Sequence, residues 1–157
     1  MVAPFRLHPE KAFPPYVFIP GVNPHPKKEG GYRQQIPEPV SPKVDLQNPQ
    51  ASDDLKYALD LFNYGYFWES HVYFEALWNA HSRIGTVADF FKGMIKLGAA
   101  GVKASIDQGV NAQDHQDRAE ELFTGVLEKE GPLFLGFNLK QIIQDISERK
   151  KLFITFD

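Results

Sequence analysis

The chain has 157 residues, 43% of them hydrophobic and 24% charged, with a formal net charge of −3, the balance of one ordinary globular domain. A nucleic-acid binder needs an excess of basic side chains to displace counterions from phosphates, and this balance argues against one. There is no cysteine, which removes disulfides, thiolate nucleophiles and cysteine metal sites together.

The first stretch, MVAPFRLHPEKAFPP, has no apolar run and carries both charge signs, so it does not read as a signal peptide. The longest apolar stretch, from Met94 to Val102, is interrupted by Lys96 and followed by Lys103, and it is too short to span a bilayer. A cytoplasmic location without membrane association is expected. Eleven of the twelve prolines lie at or before Pro49. Proline fixes φ and removes a backbone donor, so this region cannot be helical for long. It also holds Phe5, Phe13, Tyr16, Val17, Phe18, Ile19 and Tyr32, residue types that disordered segments usually lack. Residues 1–50 are therefore expected to form an extended Pro-rich arm docked on the body, a partly mobile arm being the alternative. Within it, Pro20 to Pro26 reads as a turn and a short polyproline-like piece.

Residues 51–157 read as a helical domain. Ser52 ahead of Asp53 and Asp54 is a helix start, and Leu55, Ala58, Leu59 and Phe62 recur at helical spacing. Gly65 should end this helix in the left-handed conformation. A second helix then runs from about Phe67 to Ser82, which makes an antiparallel hairpin. Thr86 with Asp89 resembles a capping box that opens a third helix through about Asp107. Asn111 with Asp114 opens a fourth helix, which runs to about Lys129 and is stopped by Gly131-Pro132. Asn138 with Gln141 opens a fifth, ending near Lys151, and Leu152 to Asp157 reads as extended. The expected fold is all-α: a bundle of about five helices that begins with the hairpin and is wrapped by the N-terminal arm. The third helix carries Gly93, Gly98, Ala99, Ala100, Gly101 and Ala104. Glycine inside a helix costs roughly 1 kcal/mol relative to alanine, so close helix–helix approach should compensate. A cofactor lying against the bare backbone is the alternative.

Chemistry concentrates between Phe62 and Trp78. At about 100° per residue, His71 and Glu75 share a face of the second helix, and so do Phe67, Phe74 and Trp78, which puts an imidazole and a carboxylate on an aromatic stripe. Burial on that aromatic stripe is expected, and a buried charge needs a partner. His71 and Glu75 can pair with each other, and Lys92 on the next helix is a further partner. Glu69 lies roughly 200° from His71 on a regular helix and does not reach the same point. The two-histidine zinc signature of a helix needs histidine at position 75 and glutamate at position 72, where this chain has Glu75 and Val72. The candidate cluster is therefore Glu69, His71, Glu75, Trp78 and Lys92, with His25 from the arm, read either as a polar knot in the core or as a binding site. No metal and no cofactor are assigned.

Phe62-Asn63 with Gly65, then Phe67, Glu69, His71, Glu75 and Trp78, followed by Phe91-Lys92-Gly93-Met94-Ile95 with Ala99 and Ala100, resembles the prokaryotic domain-of-unknown-function family three hundred and nine. The arm pieces Pro14-Pro15-Tyr16 to Pro20-Gly21 and Pro24-His25-Pro26 look like an extension seen in some of its members. The resemblance covers roughly residues 53 to 125. It implies an all-helical fold and no agreed activity, substrate or cofactor. The family pattern usually has glutamate directly after the histidine, where this chain has Val72. The expected function is a non-enzymatic helical binding or scaffold protein with an aromatic-lined polar site, its partner a small molecule or a protein. The alternative is a metal-assisted hydrolase using His71 and Glu75 with ligands from other segments. Self-association through the glycine-rich helix is a third reading.

Overall fold

The structure, a computed structural model, describes residues 5–106 and 109–157. Its order is a short 3-10 turn (Pro49–Ala51), α1 (Asp53–Asn63), α2 (Phe67–Ala80), α3 (Thr86–Ser105), α4 (Gly109–Glu130), a two-residue-per-strand hairpin of β1 (Leu133–Phe134) and β2 (Phe137–Asn138), and α5 (Leu139–Ser147). The fold is all-α, and α1 with α2 opens it as a helical hairpin.

Local chemistry explains most of the boundaries. The Ser52 hydroxyl accepts a hydrogen bond from the Leu55 amide at 3.1 Å, and Asp53 and Asp54 lie at the positive end of the α1 dipole. Gly65 takes a φ of 88°, which lets the chain turn at once into α2. The Asn138 side chain accepts from the Gln141 amide and starts α5.

Other boundaries depart from the sequence reading. α2 stops at Ala80 rather than Ser82, because Ser82 and Arg83 turn to φ values of 63° and 62°. The Thr86–Asp89 capping box does not form: Gly85 is the N-cap, and the Thr86 hydroxyl instead donates to Glu130 at 2.9 Å. The expected end of α3 at Asp107 falls outside the described residues. α4 is already helical at Gly109, so Asn111 lies inside it rather than at its cap. α5 ends at Ser147, short of Lys151, where Arg149 adopts a φ of 55°.

The core is aromatic and aliphatic. Phe74, Phe90, Phe91, Phe123 and Phe137 are fully covered, with Leu55, Leu59, Leu61, Leu77 and Met94 around them. Phe90 stacks on Phe137 at 4.9 Å, and Phe137 stacks in turn on Phe156 of the C-terminal tail at 5.0 Å. α3 lies between α2 and α4, and its glycines face both. A Cβ on Gly93 would stand 2.7 Å from the Phe123 ring, and one on Gly101 would stand 2.3 Å from the Phe67 ring. Close approach, not a cofactor, occupies the space over these two backbone positions.

Residues 5–48 contain neither helix nor strand. They meet the hairpin through polar anchors. Asp60 of α1, wholly covered, accepts from the Leu7 and His8 amides at 2.7 and 2.8 Å and from Arg6 Nε at 3.0 Å. Phe13 stacks on Tyr66 at 4.7 Å. The Ser41 hydroxyl donates to Asp54 at 2.6 Å, and the Val44 amide donates to His81 Nε2 at 3.0 Å.

Candidate functional site

Six residues between positions 25 and 92 carry the chemistry that the sequence singles out, and α2 supplies four of them. Glu69 lies in the first turn of α2 and is only 5% exposed. Its carboxylate accepts from the Tyr32 hydroxyl and from Arg33 Nη1, both at 2.7 Å. Arg33 is 4% exposed and also donates through Nη2 to the Pro37 carbonyl at 3.1 Å, while its Nε is buried without a partner among the described residues. Burial, and then the hydrogen bond to Glu69, push the Tyr32 hydroxyl above the usual tyrosine range, so it serves here as a donor rather than an acid. Glu69 is thus spent on anchoring the N-terminal segment.

His71 and Glu75 do come together. Nε2 of His71 lies 3.3 Å from Glu75 Oε2, one turn along the helix. Full burial of the pair does not occur: His71 is partly buried and Glu75 exposed, their side chains 33% and 50% accessible. The reason is rotational, since Phe74 takes the core-facing position and leaves Glu75 turned toward solvent. The base of His71 is covered by Gly98 of α3, whose Cβ position is 3.3 Å from that of His71. Burial lowers the His71 pKa below the ordinary histidine value, Glu75 and Glu38 oppose the shift, and Lys27 and Lys96 add to it.

The remaining candidates stand apart. Lys92 is half-buried, and among the described residues it forms no hydrogen bond or ion pair with His71 or Glu75, so the three-membered knot is absent. His25 packs edge-on against Trp68 at 5.3 Å and against Phe18 at 5.1 Å, and its Nδ1 accepts from the Lys27 amide. Trp78 lies at the margin of the core with Nε1 buried and, among the described residues, unpartnered, and the Arg83 guanidinium is 5.3 Å from its ring centroid. Among the described residues no group of three or more His, Asp or Glu side chains is placed to hold a metal ion.

A different feature has the shape of a site. A cleft of about 700 Å³ opens between the α1–α2 link, the second half of α3, α4 and the C-terminal tail. Phe62, Phe67, Leu97 and Ala100 form apolar walls, while Gln116, Lys150 and Lys151 bring polar groups to it. The tail is held in place by Asn63, whose Nδ2 donates to the Ile154 carbonyl at 2.8 Å and whose Oδ1 accepts from the Ile154 amide at 2.9 Å. Both bonds are buried and tie the tail to the end of α1.

Residues 55–112 match the family model of DUF309, a domain of unknown function. The matched segment runs from α1 into the start of α4 and includes Glu69, His71, Glu75, Trp78 and Lys92, whereas His25 lies outside it. It also supplies the apolar walls of the cleft and Asn63, while Gln116, Lys150 and Lys151 lie beyond its end. No curated protein and no solved structure matches the chain. Among the described residues no helix is long and apolar enough to cross a membrane.

The sequence reading passes over the cleft. Its signal was present in part, because Phe62, Asn63, Gly65 and Phe67 stand beside the small residues Ala100, Gly101 and Ala104 along its wall. Nothing in the periodicity shows that the tail after α5 returns to Asn63, 91 residues away.

Proposed function

We propose that the protein is a non-enzymatic binding protein whose cleft takes a small, largely apolar molecule. The observation that supports this reading is the cleft itself, about 700 Å³ with Phe62, Phe67, Leu97 and Ala100 on its walls. Small-molecule sites typically fall between roughly 300 and 1,000 Å³, are mostly apolar, and hold few polar groups. At about 25 cal/mol per Å², a ligand that buries about 200 Å² of apolar surface gains about 5 kcal/mol before its ordering is charged against it.

The test is titration of the full chain with N-phenyl-1-naphthylamine, a neutral apolar fluorophore. Saturable enhancement at one site is expected, and it should vanish in Ala104→Trp. Ala104 lines the cleft from an exposed position of α3, so the new ring fills the opening without entering the core. Absence of saturable binding in the wild type, or undiminished binding in the variant, overturns the reading.

A further inference from the structure

The charged residues that line the cleft have one sign. Lys150 and Lys151 line it, and no Asp or Glu does so among the described residues, although the chain as a whole carries −3. Lys150 and Lys151 both belong to the tail wall, while Phe62, Phe67 and Leu97 belong to the helices on the other side. The cleft is therefore apolar along one side and cationic along another.

Neighbouring contacts decide which of these cations are available. Arg149 is occupied: Nη1 donates to the Gln116 side-chain oxygen at 2.8 Å and Nη2 to Asp117 at 2.7 Å. Those bonds tie the end of α5 to α4 and fix where the next two residues stand. Among the described residues the Lys150 side chain pairs only with Glu148, at 3.4 Å, the two side chains 57% and 39% exposed. An exposed pair of that kind is worth about 0–1 kcal/mol and yields readily to a better partner. Lys151 has no ion pair among the described residues, and it is exposed. Gln116 accepts from Arg149 through its oxygen, which leaves its amide NH₂ as a donor at the cleft. Two lysines and one amide donor, with no carboxylate on the cleft lining itself and only the exposed Glu148 pair to give up, form a donor set that an anion completes.

We infer that the ligand of this cleft is an amphipathic anion: a hydrocarbon body against Phe62, Phe67 and Leu97, and a single carboxylate or phosphate-ester head at Lys150, Lys151 and Gln116. The inference rests on the cleft being a binding site as proposed above. A carboxylate and a phosphate monoester present the same acceptor chemistry to these donors, and competition separates them.

The experiment displaces N-phenyl-1-naphthylamine from the full chain with decanoate, decyl phosphate or 1-decanol, each below its aggregation limit. At least one anion should compete about tenfold or more better than the alcohol, the equivalent of one charge-assisted hydrogen bond. That advantage should shrink at high salt and disappear in the double variant K150Q/K151Q, while competition by decanol stays unchanged. Both lysines are exposed, so folding of the variant is not at stake. The better anion identifies the head group. If the anions and the alcohol compete equally, the cleft reading stands and the anion inference falls. An anion advantage that survives the double substitution also overturns it. If neither probe nor competitor binds, the proposed binding function itself fails.

Discussion

Arg33 and Glu69 meet at 2.7 Å with side chains 3% and 6% exposed. Removing one partner of such a pair leaves a charge stranded in the interior, at a cost of about 3–5 kcal/mol. Arg33→Ala should therefore lose that much in urea unfolding, whereas Arg118→Ala, which breaks the exposed pair with Glu121, should lose less than about 1 kcal/mol. A loss below about 1 kcal/mol for Arg33→Ala would show that water reaches Glu69 and that the anchor is dispensable. This role was not legible in the sequence, where Glu69 stood in the candidate cluster but on another face of α2 from His71. Helical spacing reveals neighbours within three or four positions, and the partner of Glu69 stands 36 residues earlier in a stretch without periodicity. The His71–Glu75 pair was legible for the converse reason, since both members lie on one helix, one turn apart.

The glycines of α3 make a sharper case at the level of the element. Gly→Ala in an exposed helix interior gains about 1 kcal/mol through propensity. Gly125 of α4 has nothing within 4 Å of its Cβ position, so Gly125→Ala should raise stability by up to about that amount. Gly101 should behave in the opposite way. Its Cβ would stand 2.3 Å from Cγ of Phe67, the root of a ring that cannot swing clear without moving α2. Overpacking of this kind typically costs about 1–3 kcal/mol, so Gly101→Ala should lower the midpoint of thermal unfolding while Gly125→Ala raises it. Equal effects of one sign would mean that α2 and α3 do not approach each other as closely as the structure has them. That glycines at helical positions demand close approach was readable in the sequence. Helix starts and stops built from adjacent residues, at Ser52, Gly65 and Asn138, were readable too. The Thr86 start failed because its hydroxyl is taken by Glu130, 44 residues on, and a distant partner leaves no local trace.

For the whole molecule, pH acts through histidines that the fold keeps neutral. His25, His71, His81 and His115 all have pKa values below the ordinary 6.5, with burial the leading cause in each. Lys27 and Lys28 reinforce the shift at His25, Lys43 at His81, and Lys96 and Lys103 at His115, where Asp114 opposes it. At His71, Lys27 and Lys96 reinforce the shift against Glu75 and Glu38. The unfolded chain therefore binds more protons than the native one in this range, and stability increases with pH. The full contribution is present above about 6.5 and is lost as pH falls from there toward the lowered native values. His81 adds a structural consequence, because its Nε2 accepts the Val44 amide. Protonation removes that acceptor and frees the N-terminal segment where it reaches the end of α2. Thermal unfolding should accordingly be level from about pH 8 to 7 and fall between about pH 6.5 and 5, above the range where carboxylates take up protons. His81→Gln keeps an acceptor at every pH, so it should be less stable than the wild type near neutrality yet fall less steeply below it. A midpoint unchanged down to pH 5, or the same slope in the variant, would separate the histidines from the attachment of the N-terminal segment.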